Sequence, residues 1–228
     1  MILYNTIVGL AAGVGLLLVA KVLKQFVNDE RVQPEGVALI FGITGFIQTV
    51  LGLTISVMWP YTKVLHANIM MGEPAVAFGL LLGGASFFLW RKREIFSDLG
   101  RRDERSQQAS AYIVEVLRPV SVWVLANGLM MASLSVAIAY YKLGHAPPQE
   151  PISGYFADTW VETAFLTLLW GLISIGALLA PFGIERRNRK VVGVIHLCWS
   201  VSGVLLVLFS AMNFFTHIGL LMNTSDSF

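Results

Sequence analysis

Arg186–Phe215 reads RRNRK-VVGVIHLCWSVSGVLLVLFSAMNFF: a tight basic turn, then an apolar run that holds no Asp, Glu, Lys or Arg. A run of roughly 20 apolar residues is long enough to cross a bilayer as a helix. A cluster of Lys and Arg at one end marks the side that stays inside. The same unit recurs along the chain. The apolar stretches are Ile2–Leu23, Val37–Trp59, Ala75–Trp90, Val120–Tyr141, Val161–Ala180 and Val191–Phe215. The first, third and fifth connectors, with the span ends beside them, hold 14 of the 16 Lys and Arg. The second connector holds Lys63 and the fourth Lys142. This alternation predicts an all-α, polytopic membrane protein of six transmembrane helices, residues 1–228 forming one membrane domain, with both termini outside. The expected location is the plasma (inner) membrane.

Composition agrees. Apolar residues make up 56% of the chain and charged residues 13%, about half the charged share usual for a soluble domain. No basic n-region or small-residue cleavage site stands out at the start, so Ile2–Leu23 is expected to be a retained span held inside by Lys21 and Lys24. Cys198 is the single cysteine, which excludes an intrachain disulfide and a Cys-based metal cluster. The Arg-rich face suits anionic headgroups, and positive-inside anchoring already explains its charge, so nucleic acid is not an expected partner. Membrane lipids are.

Between the second and third spans runs Met58-Trp59-Pro60-Tyr61, then Lys63 to Pro74. The aromatics suit the interface and the proline stops the helix. Val64–Met71 is too apolar for a water-exposed loop. The third span is only 16 residues, about 24 Å at ~1.5 Å per residue, so Val64–Met71 is expected to pack into the leaflet or against neighbouring helices as irregular backbone. Glu73 reads first as the carboxylate of a helix start with Pro74 at its first position; the alternative is a ligand or proton group partnered by His66. In the fourth connector Pro147, Pro148 and Pro151 stiffen the chain, and Thr159-Trp160-Val161-Glu162 matches a capping box, with Asp158 as the alternative cap. His145 is expected to be exposed.

His66, His145 and His217 share the outer face with Glu73, Asp158 and Glu162. Copper or zinc would suit His66, Glu73 and His217, with nearby methionines as soft ligands, although the spacing is not compact. The span interiors carry no Asp, Glu, Lys or Arg, which argues against ion coupling and proton relays. Gln48 and Asn127 are the mid-span amides, each expected to hydrogen-bond across a helix interface. His196 has no partner histidine at its depth, so an intrachain bis-His haem is not expected. Gly9-x-x-x-Gly13 and Gly79-x-x-x-Gly83 predict close helix packing. On the inner side, Asp98 with Arg102 suggests a helical extension, and Ser106–Val116 is expected to prolong a span into solvent. Asn223-Thr224-Ser225 is a formal glycosylation sequon. Nucleotide-binding, hydrolase and zinc-protease motifs are absent, and no internal repeat is visible.

The block His66-Ala67-Asn68-Ile69-Met70-Met71-Gly72-Glu73-Pro74-Ala75-Val76-Ala77-Phe78-Gly79, with the closing Asn213-Phe214-Phe215-Thr216-His217, resembles an uncharacterised family of prokaryotic multi-pass membrane proteins catalogued as a domain of unknown function. The resemblance implies a prokaryotic membrane protein and carries over no activity or catalytic residue. The expected function is a non-catalytic accessory subunit of a larger membrane complex, with other membrane subunits or further copies of itself as partners. By analogy, a respiratory or metal-dependent oxidase or monooxygenase would be the host. The alternatives are an outer-face metal-binding oxidoreductase and a small-solute carrier or channel, with bound lipid as a further expected ligand.

Overall fold

The computed structural model describes residues 3–224 except 63, 102, 145 and 158, with side chains from residue 5 onward. Lys63, Arg102, His145, Asp158 and Ser225 therefore lie outside the described residues. The elements are α1 (Leu3–Val27), α2 (Pro34–Met58), α3 (Leu65–Arg91), the short α4 (Arg93–Asp98), α5 (Glu104–Tyr141), α6 (Val161–Glu185) and α7 (Arg189–Thr224). A 3-10 turn, Ser153–Phe156, interrupts the loop before α6. Six of the helices are long and apolar enough to cross a membrane.

The helices close into a ring in the order α1, α2, α3, α5, α6, α7 and back to α1. Three antiparallel pairs carry most of its contacts: α2 with α3, α5 with α6, and α1 with α7. Lipid tails are as apolar as leucine, so burial alone cannot drive these pairs together; close backbone approach can. In α2 and α3 glycines recur at seven-residue spacing. A Cβ on Gly52 would stand 2.7 Å from the Val76 nitrogen and 2.9 Å from the Gly72 oxygen. On Gly45 it would stand 2.8 Å from the Gly83 nitrogen, and on Gly79 2.6 Å from the Thr49 nitrogen. The α1–α7 pair meets at Gly13, where a Cβ would lie 2.7 Å from the Gly203 oxygen, and at Gly9, which faces the Ser210 hydroxyl. The α5–α6 pair meets at Gly128, where a Cβ would lie 2.9 Å from the Leu178 nitrogen and where Ser174 also donates to the Gly128 carbonyl (2.9 Å). Gly83 is different: a Cβ there would meet nothing within 4 Å, so its nitrogen, not its missing side chain, takes part in the contact.

Two expectations about helix ends need correction. The third helix does not begin at Pro74. It begins at Leu65 and runs through the proline, which is buried inside it. Backbone surrounded by lipid has no water to bond, so apolar Val64–Met71 is better satisfied as helix than as loop, at the cost of the one bond that the proline lacks. The helix thereby reaches 27 residues, about 40 Å at ~1.5 Å per residue. Asn68, buried in its first turns, donates to the Tyr61 and Leu65 carbonyls (3.1 Å each) and accepts from the Tyr61 nitrogen (3.0 Å), stapling the preceding turn. The capping box before α6 is also not formed. Trp160 is the N-cap and has no side-chain cap bond. Glu162 instead accepts from the Ala146 nitrogen at 2.7 Å, because that loop nitrogen comes to it from 16 residues back.

The Arg-rich connectors meet at one end of the ring, here the basic end. Asp29 accepts from the Ser106 hydroxyl (3.2 Å) and lies 3.6 Å from the Arg187 guanidinium, which donates to the Phe26 carbonyl (2.8 Å). Three connectors are joined through those two side chains. Asp103 caps α5 by accepting from the Ser106 nitrogen (3.0 Å), so Ser106–Val116 does prolong the span. Asp98 pairs with Arg101 at 3.3 Å.

Gly52→Val should lower stability by about 1–3 kcal/mol, the usual cost of overpacking, read as a lower Tm in detergent. Gly83→Ala should stay within about 0.5 kcal/mol of the parent. Equal tolerance of both changes would contradict the α2–α3 contact.

Candidate functional site

The three tight pairs leave the middle of the ring unfilled. A cavity of about 810 Å³ runs between them, lined by all six long helices. Its walls are strongly asymmetric along the bundle. Toward the basic end they are built from Leu23, Phe26, Phe88, Phe96, Ile113, Leu117 and Ile184. Toward the other end they gain Asn5, Gln48, Glu150, Asn213 and His217. Among the described residues no Lys or Arg lines it.

At that second end Gly144, Ala146, Pro147, Glu150 and Ser153 of the loop before α6 line the cavity, and we call it the capped end. The loop is pinned on two sides. Thr163 donates to the Leu143 carbonyl (3.1 Å) and Glu162 holds Ala146, both from α6. On the α7 side Asn223 donates to the Gln149 carbonyl (2.9 Å), and Pro151 sits against Gly219, where a Cβ would collide with its ring. Glu150 is the centre of the arrangement. It is 7% exposed, accepts from the Thr216 hydroxyl at 2.6 Å, and lies 3.6 Å from His217 Nε2. A buried carboxylate needs such partners, since leaving one unsatisfied in a low-dielectric site is costly. The chain turns sharply just after it: Ile152 has φ +66°, and the Ser153 nitrogen bonds the Pro151 carbonyl at 2.7 Å. The sequence reading missed Glu150. The available signal was a carboxylate set between Pro148 and Pro151 in a connector whose other acidic residue, Asp158, lies beside the start of the next span.

The predicted site residues are placed as follows. His66 is half-buried in the first turn of α3, Glu73 is exposed on the same helix, and His217 faces Glu150 from α7. Among the described residues no group of three or more His, Cys, Asp or Glu stands together as a metal ligand set. Gln48 is fully buried and donates from Nε2 to the Val8 carbonyl of α1 at 2.6 Å, a bond across a helix interface. Asn127 lines the cavity but donates to Trp123 of its own helix (2.8 Å) instead of bridging to another. His196 faces Ser200 at 3.4 Å within α7.

Around the ring, α3 and α5 touch least. The aromatic contact that joins them lies near the basic end, where Phe88 stacks on Tyr112 with centroids 6.4 Å apart. Gly84, Ala85 and Val124 line the cavity beside this seam.

Six membrane-length helices around an internal cavity define a polytopic helical membrane protein. The chain belongs to the DUF981 family, described as a protein of unknown function, which matches residues 1–219. No curated protein and no solved structure matches it. The family is in keeping with the resemblance carried by His66–Gly79, and it brings no activity with it.

Glu150→Ala removes the short acceptor of the buried Thr216 hydroxyl. It should cost about 1–3 kcal/mol and speed limited proteolysis between residues 146 and 157, whereas Glu73→Ala should leave that rate unchanged. Equal rates for the two variants would contradict the role given to Glu150.

Proposed function

We propose that this protein is an intramembrane binding protein, and through it a carrier, for an amphiphile with a long apolar tail and a small polar head. The asymmetric cavity is the observation that carries this reading. Its volume lies within the roughly 300–1,000 Å³ of ordinary ligand sites. Apolar walls toward the basic end suit a tail, and the polar groups gathered toward the capped end suit a head. The sparse α3–α5 seam offers a route from the surrounding lipid, which a water-soluble solute would not need. No mid-span Asp, Glu, Lys or Arg is present for ion coupling, so movement would follow the ligand's own gradient.

The accessory-subunit reading stands as a second proposal. It is favoured by the exposed Gly83, with open space beside it and Leu80 and Phe87 exposed on the same helix, a surface on which another helix could pack closely. In either case the protein would lie in the plasma membrane with the basic end inside, as the Lys and Arg distribution supports. A cysteine introduced at Asn188 should resist an impermeant maleimide in intact cells, and one at Thr62 should react; the reverse pattern would contradict this orientation.

One experiment addresses both readings: native mass spectrometry of the protein extracted in mild detergent from its source membrane. The carrier reading expects a 1:1 adduct with an apolar small molecule, retained by the parent and lost in Ala12→Trp, which fills the cavity from α1. A defined set of other subunits would favour the accessory role. A bare protomer with no adduct would count against both.

A further inference from the structure

Two polar side chains at the capped end of the cavity are left open by the fold. Glu150 is 7% exposed and lines the cavity. Thr216 donates to its Oε1, and His217 Nε2 stands 3.6 Å from that same oxygen, beyond hydrogen-bond reach. The other oxygen, Oε2, accepts no hydrogen bond among the described residues, and it keeps open surface. Asn213 lines the cavity from α7, four residues before His217 and so on the same helix face. It is 6% exposed, and its side-chain amide makes no hydrogen bond among the described residues while also keeping open surface. Native folds rarely leave a buried carboxylate oxygen and a buried amide unpaired. Both residues border the cavity, so a molecule lying in it can reach them.

Charge selects among the possible heads. Glu150 and Glu162 are the Asp or Glu side chains in the cavity lining, and among the described residues no Lys or Arg lines it. An anionic head would meet like charge in a low-dielectric site. A hydroxyl could donate to Oε2 but would leave the carboxylate charge unbalanced, and a quaternary ammonium would balance the charge but donate nothing. A primary ammonium does both, and its three N–H donors suffice for two acceptors. Building on the amphiphile reading above, on which this rests, we infer that the ligand is a long-chain primary amine whose ammonium head pairs with Glu150 Oε2 and donates to the side-chain oxygen of Asn213. The tail then lies along Leu16, Val19 and Leu23 of α1 toward the basic end.

The test is a native mass spectrometry titration of the purified full chain, near neutral pH, with four probes of one tail length: dodecylamine, 1-dodecanol, dodecyltrimethylammonium and dodecanoate. Binding is read as the 1:1 adduct that Ala12→Trp abolishes. In the parent protein dodecylamine should bind about tenfold more tightly than dodecanol, which lacks the charge, and than dodecyltrimethylammonium, which lacks the donors; tenfold is about 1.4 kcal/mol. Dodecanoate should bind most weakly. Glu150→Gln, which keeps an acceptor for Thr216, should bring amine and alcohol to within about twofold of each other, and Asn213→Leu should weaken the amine at least threefold. Glu73→Gln, on an exposed residue, should leave the tenfold preference intact. The order of the four probes on the parent protein tests the head whether or not the variants fold. Dodecanol, dodecyltrimethylammonium or dodecanoate binding as tightly as dodecylamine would overturn this inference alone, leaving the amphiphile reading intact, as would an amine preference that survives Glu150→Gln. Failure of all four probes to bind the parent protein would overturn both.

Discussion

Direct backbone-to-backbone contact at glycine is the constraint on which the rest of this structure depends. Inside a bilayer two helices gain nothing from hiding leucine, because lipid hides it equally well. They gain from dispersion contacts that a side chain would block, and Gly45, Gly52, Gly79, Gly13 and Gly128 permit those contacts. Each pair so formed is thin and tight. Three such pairs arranged in a ring put their close contacts within the wall, not at the centre. The cavity follows from that distribution: residues that face inward, such as Phe41, Phe78, Phe165 and Trp170, line a space that no helix fills.

The two ends of the ring are held by different chemistry. At the basic end, Asp29 and Arg187 join connectors that are distant in sequence. Each of these side chains is about a third exposed, so solvent screens their attraction, and their main effect is to set which helix ends are neighbours. At the capped end the ties are more buried. Glu150 with Thr216, and Glu162 with Ala146, fix a proline-rich loop over the cavity. One side of the space is therefore closed by polar, well-satisfied contacts, while the α3–α5 seam is closed by little more than aromatic stacking near the basic end. Such a contrast would let a tailed molecule enter sideways without unseating the loop.

Much of the fold was legible before any coordinates. Hydropathy and the distribution of Lys and Arg are properties of whole segments, and the six spans emerge from them directly. The misread third helix shows where that approach stops. Pro74 carries a strong local stop signal, but the cost of unsatisfied backbone in lipid outweighs it over Leu65–Glu73. The false capping box at Thr159 fails for a related reason. Glu162 answers a loop nitrogen brought to it by tertiary structure, and local spacing cannot reveal that partner. The site was less legible still. Gln48 stood out as a mid-span amide, yet its unpaired oxygen is a fact about neighbours. His217 was singled out for its side of the membrane, while Glu150, the group it faces, carried no motif.

The central claim is that the ring encloses a cavity occupied by a single tailed amphiphile. The most direct measurement is an experimental density map of the protein purified with its native lipid and held in nanodiscs. The account predicts an elongated feature along the inward side of α1, with its blunt end toward Glu150 and His217 and its tail toward Phe26. A map in which α5 has collapsed onto α1 with side chains filling the centre, or one with an empty ring, would contradict it.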